Sequence, residues 1–207
     1  HVRSRRQRQM CIRDREWARL VAVGIPLELR QRVWADFSGA SELRARADAC
    51  ARLCARAGTY AQLVARLGEV GSEHVQQIEI DLPRTFPEHR AFGHADAHAP
   101  LRRVLCAFAL RDPARGYTQS LNFVAAFALL FSDEESAFWL LCAIAERLLP
   151  CHYTHGMLGV QLDNALFDAL ARAQPRLAGA VARLDALDAE LALVSTCLLY
   201  TSPSPRD

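Results

Sequence analysis

From Tyr117 to Phe131 the chain is almost wholly apolar once Gln119 and Asn122 are passed. A helix that is hydrophobic all round has no face to offer water, so this segment is expected to be a buried central helix. A chain that must bury one helix on every side needs others to surround it, and the remaining sequence supplies them. Leu101–Leu110 is strongly apolar with helical character, and a helix capped by Ser132, with Glu134 and Glu135 in its first turn, is expected to run to Leu149 before Pro150. Leu158–Ala173 and Gln174–Leu187 form a further helical pair split at Pro175. No segment keeps a period-two alternation for long, and glycine (10) and proline (9) are sparse for an all-β chain of 207 residues. Alanine, leucine and arginine dominate, residues that lose little on entering a helix. The expected class is all-α, with many short-to-medium helices and no repeat of fixed period.

The first half reads the same way in shorter pieces. Glu16–Val23 is a brief helical stretch interrupted by Gly24-Ile-Pro26, and Leu27–Phe37 restarts it with Leu29, Val33 and Trp34 near helical spacing. Ser41 is placed to cap a helix running to about Arg56, with Leu43, Ala47, Cys50, Leu53 and Cys54 on one face and Gly58 as its stop. Tyr60–Leu67 is another short helix, and Glu73–Ile80 leads into Asp81-Leu-Pro83. A stretch rich in His, Gly and Pro connects residues 85–100, and Asp112-Pro113 with Gly116 marks a turn.

Charge excludes some functions. All 25 basic residues are arginines, which with the alanine content points to GC-rich coding rather than to individual surface roles. Residues 1–15 hold six arginines and one aspartate, a net +5, so the formal charge of +2 leaves the remainder near −3. The body of the protein is therefore not a basic nucleic-acid binder. The seven cysteines (Cys11, Cys50, Cys54, Cys106, Cys142, Cys151 and Cys197) are odd in number, contain no C-x-x-C pair, and mostly sit in apolar helical runs. They read as reduced core cysteines in a reducing compartment, not as a disulfide scaffold. No apolar run reaches the roughly 18–20 residues of a membrane span, and the basic N-terminus lacks the apolar core of a signal peptide. His94 and His98 lie in a predicted loop, and His74, His89, His152 and His155 lack a paired acid at helical spacing, so no metal set is expected. Cys151-His152 is no better as a catalytic dyad, because adjacent residues do not readily face each other.

Both ends share no periodicity with the rest. The strings MCIRDR within residues 1–15 and CLLYTSPSPRD within 194–207 resemble peptides produced when sequencing adapter is translated; an ordinary basic arm and a Ser/Pro-rich tail fit the composition too. The expected organisation is 1–15 artefactual or disordered, 16–193 the folded domain, and 194–207 artefactual or disordered.

Two segments carry the chemistry: Ile78-Glu-Ile-Asp-Leu-Pro-Arg-Thr-Phe-Pro87 and Gly116-Tyr-Thr-Gln-Ser-Leu-Asn122. Pro83 fixes its φ and lacks an amide donor, so Arg84 can project from a stiff turn. Asp81 can accept from backbone amides or brace that guanidinium; on spacing alone the pair fits equally a surface ion pair worth at most about 1 kcal/mol. Gln119 opens the apolar helix, where its carboxamide can both donate to and accept from a water, or simply cap the helix. Tyr117 reads as a core-edge aromatic whose hydroxyl needs a partner.

Taken in order, these segments resemble the TBC family of Rab GTPase-activating proteins. Gly24-Ile-Pro26 with Leu29, Arg30 and Val33-Trp34 comes first; then Ile78, Asp81 and Arg84 in an I-x-x-D-x-x-R pattern with Thr85-Phe-Pro87; then Tyr117-x-Gln119 with Leu121-Asn122. The similarity covers about residues 16–190. It implies a multi-helix TBC-type fold, here the N-terminal lobe with only the start of the C-terminal lobe, since the further aromatic-rich helices of the family do not follow Leu193. It also implies that Arg84 is an arginine finger and Gln119 a glutamine finger, with Asp81, Tyr117, Ile78 and Asn122 in support. The partner would be a Rab-family GTPase in its GTP-bound state, which brings GTP and Mg²⁺, so the chain needs no cofactor and turns over no substrate alone. Action would be cytoplasmic, with recruitment to endomembranes through that partner and no membrane insertion. One departure stands at Ser120, where the family usually has glycine. Together with the missing lobe it leaves an alternative: a TBC-like helical module that binds a GTPase without activating it.

Overall fold

The computed structural model describes residues 22–51, 58–93, 98–154 and 156–187, and these contain helices and turns but no strand. The chain divides into two compact units, one ending at Leu148 and one beginning at Leu149. The expectations for residues 1–21 and 188–207, for Leu53, Cys54 and Arg56, and for His94 and His155 fall outside the described residues, as does the side chain of Cys50.

In the first unit the helices are α1 (Leu27–Ser38), α2 (Ala40–Ala51), α3 (Tyr60–Val64), α4 (Ser72–Asp81), α5 (His98–Arg111), α6 (Leu121–Leu129) and α7 (Glu134–Ala143). Helix α7 is the hub, packing against α1, α2, α5 and α6. Its Ala137, Phe138, Trp139, Leu141, Cys142 and Ala143 are all buried, leaving almost no polar face beyond the first turn. Helix α5 buries Leu101 and the continuous run Val104–Ala109. Helix α6 presents Leu121, Ala125, Ala126 and Ala128 to this core, and the small side chains let neighbouring helices approach closely. The central helix of the first unit is thus α7. The segment expected there, Tyr117–Phe131, is helical only from Leu121 to Leu129, and it keeps Phe127 49% exposed.

Ends of helices explain most departures from expectation. Ser41 does not cap α2: Gly39 ends α1 in the left-handed region (φ 80°), α2 begins at Ala40, and the Ser41 hydroxyl instead donates to Asp36 Oδ1 at 2.9 Å. Ser132 does not cap α7: Asp133 does, its Oδ1 accepting from the Ser136 amide at 2.9 Å, while the Ser132 hydroxyl donates back to the Ala128 carbonyl at 2.7 Å. The carboxylate is the better N-cap because it also meets the positive end of the helix dipole. Helix α3 opens with a reciprocal capping box between Thr59 and Gln62. Beyond Ala143 the chain widens into a π-type turn over Ile144–Leu148.

Polar clamps fasten α7 to its neighbours. Glu134 accepts a bidentate pair from Arg103 of α5 at 2.8 and 2.7 Å, and the Tyr60 hydroxyl of α3 donates to the same carboxylate. Arg111 of α5 reaches Glu146 at 2.7 and 3.2 Å while its guanidinium lies 5.0 Å from the centre of the Trp139 ring. Trp34 of α1 stacks on Phe127 of α6 at 5.7 Å.

The second unit contains α8 (Leu158–Ala173), a 3₁₀ turn (Pro175–Leu177) and α9 (Ala178–Ala186), close to the expected pair split at Pro175. Arg172 holds α8 to α9, bonding Asp168 on its own helix and both oxygens of Asp185 at 2.8 and 2.9 Å. His152 meets Asp163 at 2.7 Å.

Candidate functional site

Arg84 and Gln119 each occupy the tip of a tight turn. In the first, α4 runs into the 3₁₀ turn Leu82–Arg84, closed by the Thr85 amide donating to the Leu82 carbonyl at 3.1 Å. Pro83 takes the second position of that turn, where its fixed φ is already suited, and Arg84 the third. In the second, the Leu121 amide donates to the Thr118 carbonyl at 3.2 Å, with Gln119 and Ser120 between them. Ser120 has φ 84° and ψ −20°, the values of the third position in a type II turn, where glycine is favoured. Gln119 therefore does not open the helix, as its sequence position suggested. The left-handed residue after it interrupts the helical path, and α6 starts only at Leu121.

Both side chains are exposed, and among the described residues neither makes a hydrogen bond or ion pair. Asp81 does not brace the Arg84 guanidinium. Its buried Oδ2 accepts instead from the Tyr117 hydroxyl at 2.8 Å and from Gln77 Nε2 at 3.2 Å. A buried carboxylate requires such donors, since burial without them costs several kcal/mol. Burial and then the adjacent Asp81 carboxylate push the Tyr117 phenol well above the usual tyrosine range, so the hydroxyl stays a donor.

A second link runs parallel to the first. The Thr85 hydroxyl donates to the Asp81 carbonyl at 2.7 Å and accepts from Asn122 Nδ2 at 2.7 Å; Asn122 Oδ1 accepts from the Ser120 amide at 3.1 Å. Asp81, Thr85 and Asn122 are 3%, 0% and 2% exposed, and among the described residues they make up the whole set of buried polar or charged side chains. These three side chains all serve to join the Arg84 turn to the Gln119 turn. Ile78, wholly buried one helical turn before Asp81, anchors α4 in the core beneath this network.

Backbone strain gathers at the same place. Among the described residues three non-glycine residues have positive φ, and two of them are Phe86 (47°) and Ser120 (84°), which lie just after Arg84 and Gln119. Such conformations persist where the surroundings over-determine them. The Phe86 ring meets Phe123 of α6 edge-on at 5.4 Å and Phe92 at 6.2 Å, a third tie between the two segments. Gly116 takes φ 63°, and a Cβ there would fall 2.3 Å from Cε1 of His74. That imidazole stands against the loop with Nδ1 3.4 Å from the Tyr117 amide, which donates to it.

The structure thus brings together Asp81 with Tyr117 and Asn122 with Thr85, and it leaves Arg84 and Gln119 projecting from the joined turns. The sequence offers Thr85 only within the Thr85-Phe-Pro87 string, without a role, and His74 only as a histidine lacking a metal set. Thr85 carries a faint sequence signal, a hydroxyl four residues after a helix-terminal Asp81 whose carbonyl it can reach. His74 carries none, because its contact lies 43 positions away.

Comparison with known proteins gives the arrangement its context. The Rab-GTPase-TBC domain family model matches residues 27–202. TBC1 domain family member 2A of Mus musculus is 40% identical over 167 residues, which cover 78% of this chain and 17% of the mouse protein. The chain therefore spans less than a fifth of that relative's length. The crystal structure of the Chlamydomonas flagellar RabGAP TBC domain superposes with a TM-score of 0.51 at 33% identity, covering 60% of this chain and 40% of that one. The Ypt/Rab-GAP domain of Gyp1p superposes with a TM-score of 0.54 and covers 74% of this chain and 57% of that one; at 20% identity it speaks for the fold alone. The all-helical chain, with its two joined turns, belongs to the Rab-GTPase-TBC domain family.

Proposed function

We propose that this chain activates a Rab-type small GTPase in its GTP-bound state by inserting Arg84 and Gln119 into the GTPase's nucleotide site. The observation that carries the reading is the pairing of two exposed side chains, unengaged among the described residues, on turns that a buried hydrogen-bond network fastens together. A guanidinium presented this way can neutralise charge growing on the phosphoryl and leaving-group oxygens. A carboxamide beside it can hold the attacking water by donating and accepting at once, in place of the GTPase's own glutamine. An arginine supplied in trans is worth about 10³–10⁵ in rate, roughly 4–7 kcal/mol of barrier. GTP and Mg²⁺ belong to the partner, and the chain contributes catalytic residues without turning over a substrate by itself. Recruitment to endomembranes through the partner belongs to the same proposal; among the described residues no helix is long and apolar enough to cross a membrane.

The test is phosphate release from a panel of GTP-loaded Rab proteins with and without this chain. Acceleration with at least one of them, lost in Arg84→Ala, is expected. Equal acceleration by Arg84→Ala would remove the finger, and binding without acceleration by the unaltered chain would make it a binding module.

A further inference from the structure

We infer that Thr85 is a positioning residue that couples the two turns, its hydroxyl fixing the Arg84 turn in register with the Gln119 turn. The inference rests on the proposed activation in trans.

The donors and acceptors around Thr85 leave a single arrangement. The Ser120 amide can only donate, so the atom of Asn122 that faces it must be the carbonyl oxygen, and Nδ2 must face Thr85. The Asp81 carbonyl can only accept, so the Thr85 hydrogen must point to it. The resulting one-way relay starts at the Ser120 amide and ends at the last carbonyl of α4. That carbonyl belongs to a helix terminus, where backbone acceptors lack partners within the helix. The relay also ties the two strained positions together. Thr85 immediately precedes Phe86, and the relay's far end holds the amide of Ser120. With the hydroxyl gone, each turn keeps its own closing bond, and the Tyr117–Asp81 bond remains, but the relay that joins the backbone of the one turn to that of the other is cut. Threonine suits the position because its branched Cβ restricts χ1, which holds the hydroxyl on its two partners.

A purely stabilising role and a positioning role differ in what they do to turnover. Steady-state hydrolysis by a responsive GTP-loaded Rab, titrated against this chain, separates kcat from KM. Thr85→Val keeps the shape and removes both hydrogen bonds; it is expected to lower kcat about 10- to 100-fold, as small misplacements of reacting groups do, with KM within about threefold. Thr85→Ser restores the hydroxyl and is expected to recover most of the loss. In an Arg84→Ala/Gln119→Ala background, Thr85→Val should cause no further loss. Leu63→Ala, a buried truncation on α3 remote in sequence from both turns, serves as the control and should leave kcat unchanged while the chain stays folded. Unaltered kcat in Thr85→Val, failure of serine to recover it, or a matching kcat loss in Leu63→Ala would overturn the inference. If the valine chain does not fold, serine against alanine at position 85 decides: an active serine and an impaired alanine support it, and equal activities overturn it. Failure of the underlying reading is seen separately, as hydrolysis insensitive to Arg84→Ala and Gln119→Ala in the otherwise unaltered chain.

Discussion

The Tyr117 hydroxyl donates to Asp81 Oδ2 at 2.8 Å across 36 positions of sequence, and both residues are buried. This bond fixes the end of α4 against the loop that precedes α6, and so sets the Arg84 turn beside the Gln119 turn. Tyr117→Phe keeps the ring and removes the donor, leaving Gln77 as the side-chain donor to the Asp81 carboxylate among the described residues. A buried acceptor deprived of its partner costs about 1–3 kcal/mol. Urea unfolding of Tyr117→Phe should show a loss of that size with an unchanged slope. A midpoint equal to that of the unaltered chain would mean that the carboxylate does not depend on this bond.

Gly116→Ala should be among the most damaging single-methyl changes in the chain. Its φ of 63° disfavours any side chain by about 1–2 kcal/mol. The new Cβ would also stand 2.3 Å from the His74 ring, which must swing away and release the Tyr117 amide. The double variant His74→Ala/Gly116→Ala should recover the steric part and retain the backbone part. Thermal unfolding of the three variants checks this, and strictly additive losses would contradict it.

Ser120→Gly should stabilise the chain or leave it unchanged, by up to about 1 kcal/mol. Relief of a left-handed serine outweighs the extra backbone freedom of glycine in the unfolded chain. Ser120→Val should destabilise it, because a β-branched residue tolerates that region worst. Chemical denaturation of both variants gives the comparison; a glycine variant less stable than serine would show that the serine side chain makes up the strain.

How much of this was written in the sequence differs from residue to residue. The helical class followed from uninterrupted apolar runs such as Val104–Ala109, and α8 was bounded correctly because its four-residue leucine spacing and flanking Pro175 are local signals. The two site segments were also legible, by family resemblance. Their internal arrangement was not. The position of Asp81 three residues before Arg84 allows a brace on the guanidinium or a bond from backbone amides, yet its partner is Tyr117, 36 positions on. The apolar run after Gln119 points to a helix that it opens. The positive φ of Ser120 that holds the helix start back to Leu121 leaves no mark in a serine, whereas glycine would have announced it. The centrality of α7 over α6 depends on which helices pack round it, and hydrophobicity alone does not order two apolar helices.

Stability should be lost at both extremes of pH, for different groups. Hydrogen bonding from Arg103, above all, holds the Glu134 carboxyl below its ordinary value of 4.5. That contribution is present above pH 4.5 and is lost as pH falls through the lower folded value. Tyr60 and Tyr117 are raised from 10.0 by burial and then by hydrogen bonds to carboxylates. Their folded forms hold the proton more tightly than the unfolded chain, so their contribution is complete below pH 10.0 and declines above it. The buried thiol of Cys142, raised from 9.0 chiefly by burial, begins the same decline slightly earlier. Unfolding midpoints measured across pH should form a plateau with two falling edges, and Tyr117→Phe should flatten the alkaline one.

In the proposed activation Gln119 orients the attacking water in place of the GTPase's own glutamine. Single-turnover hydrolysis by a responsive Rab whose switch glutamine has been replaced by alanine tests it directly. The chain should accelerate this altered GTPase nearly as well as the unaltered one, and Gln119→Ala should abolish the acceleration of both. Acceleration that vanishes with the GTPase's glutamine and survives Gln119→Ala would contradict the account.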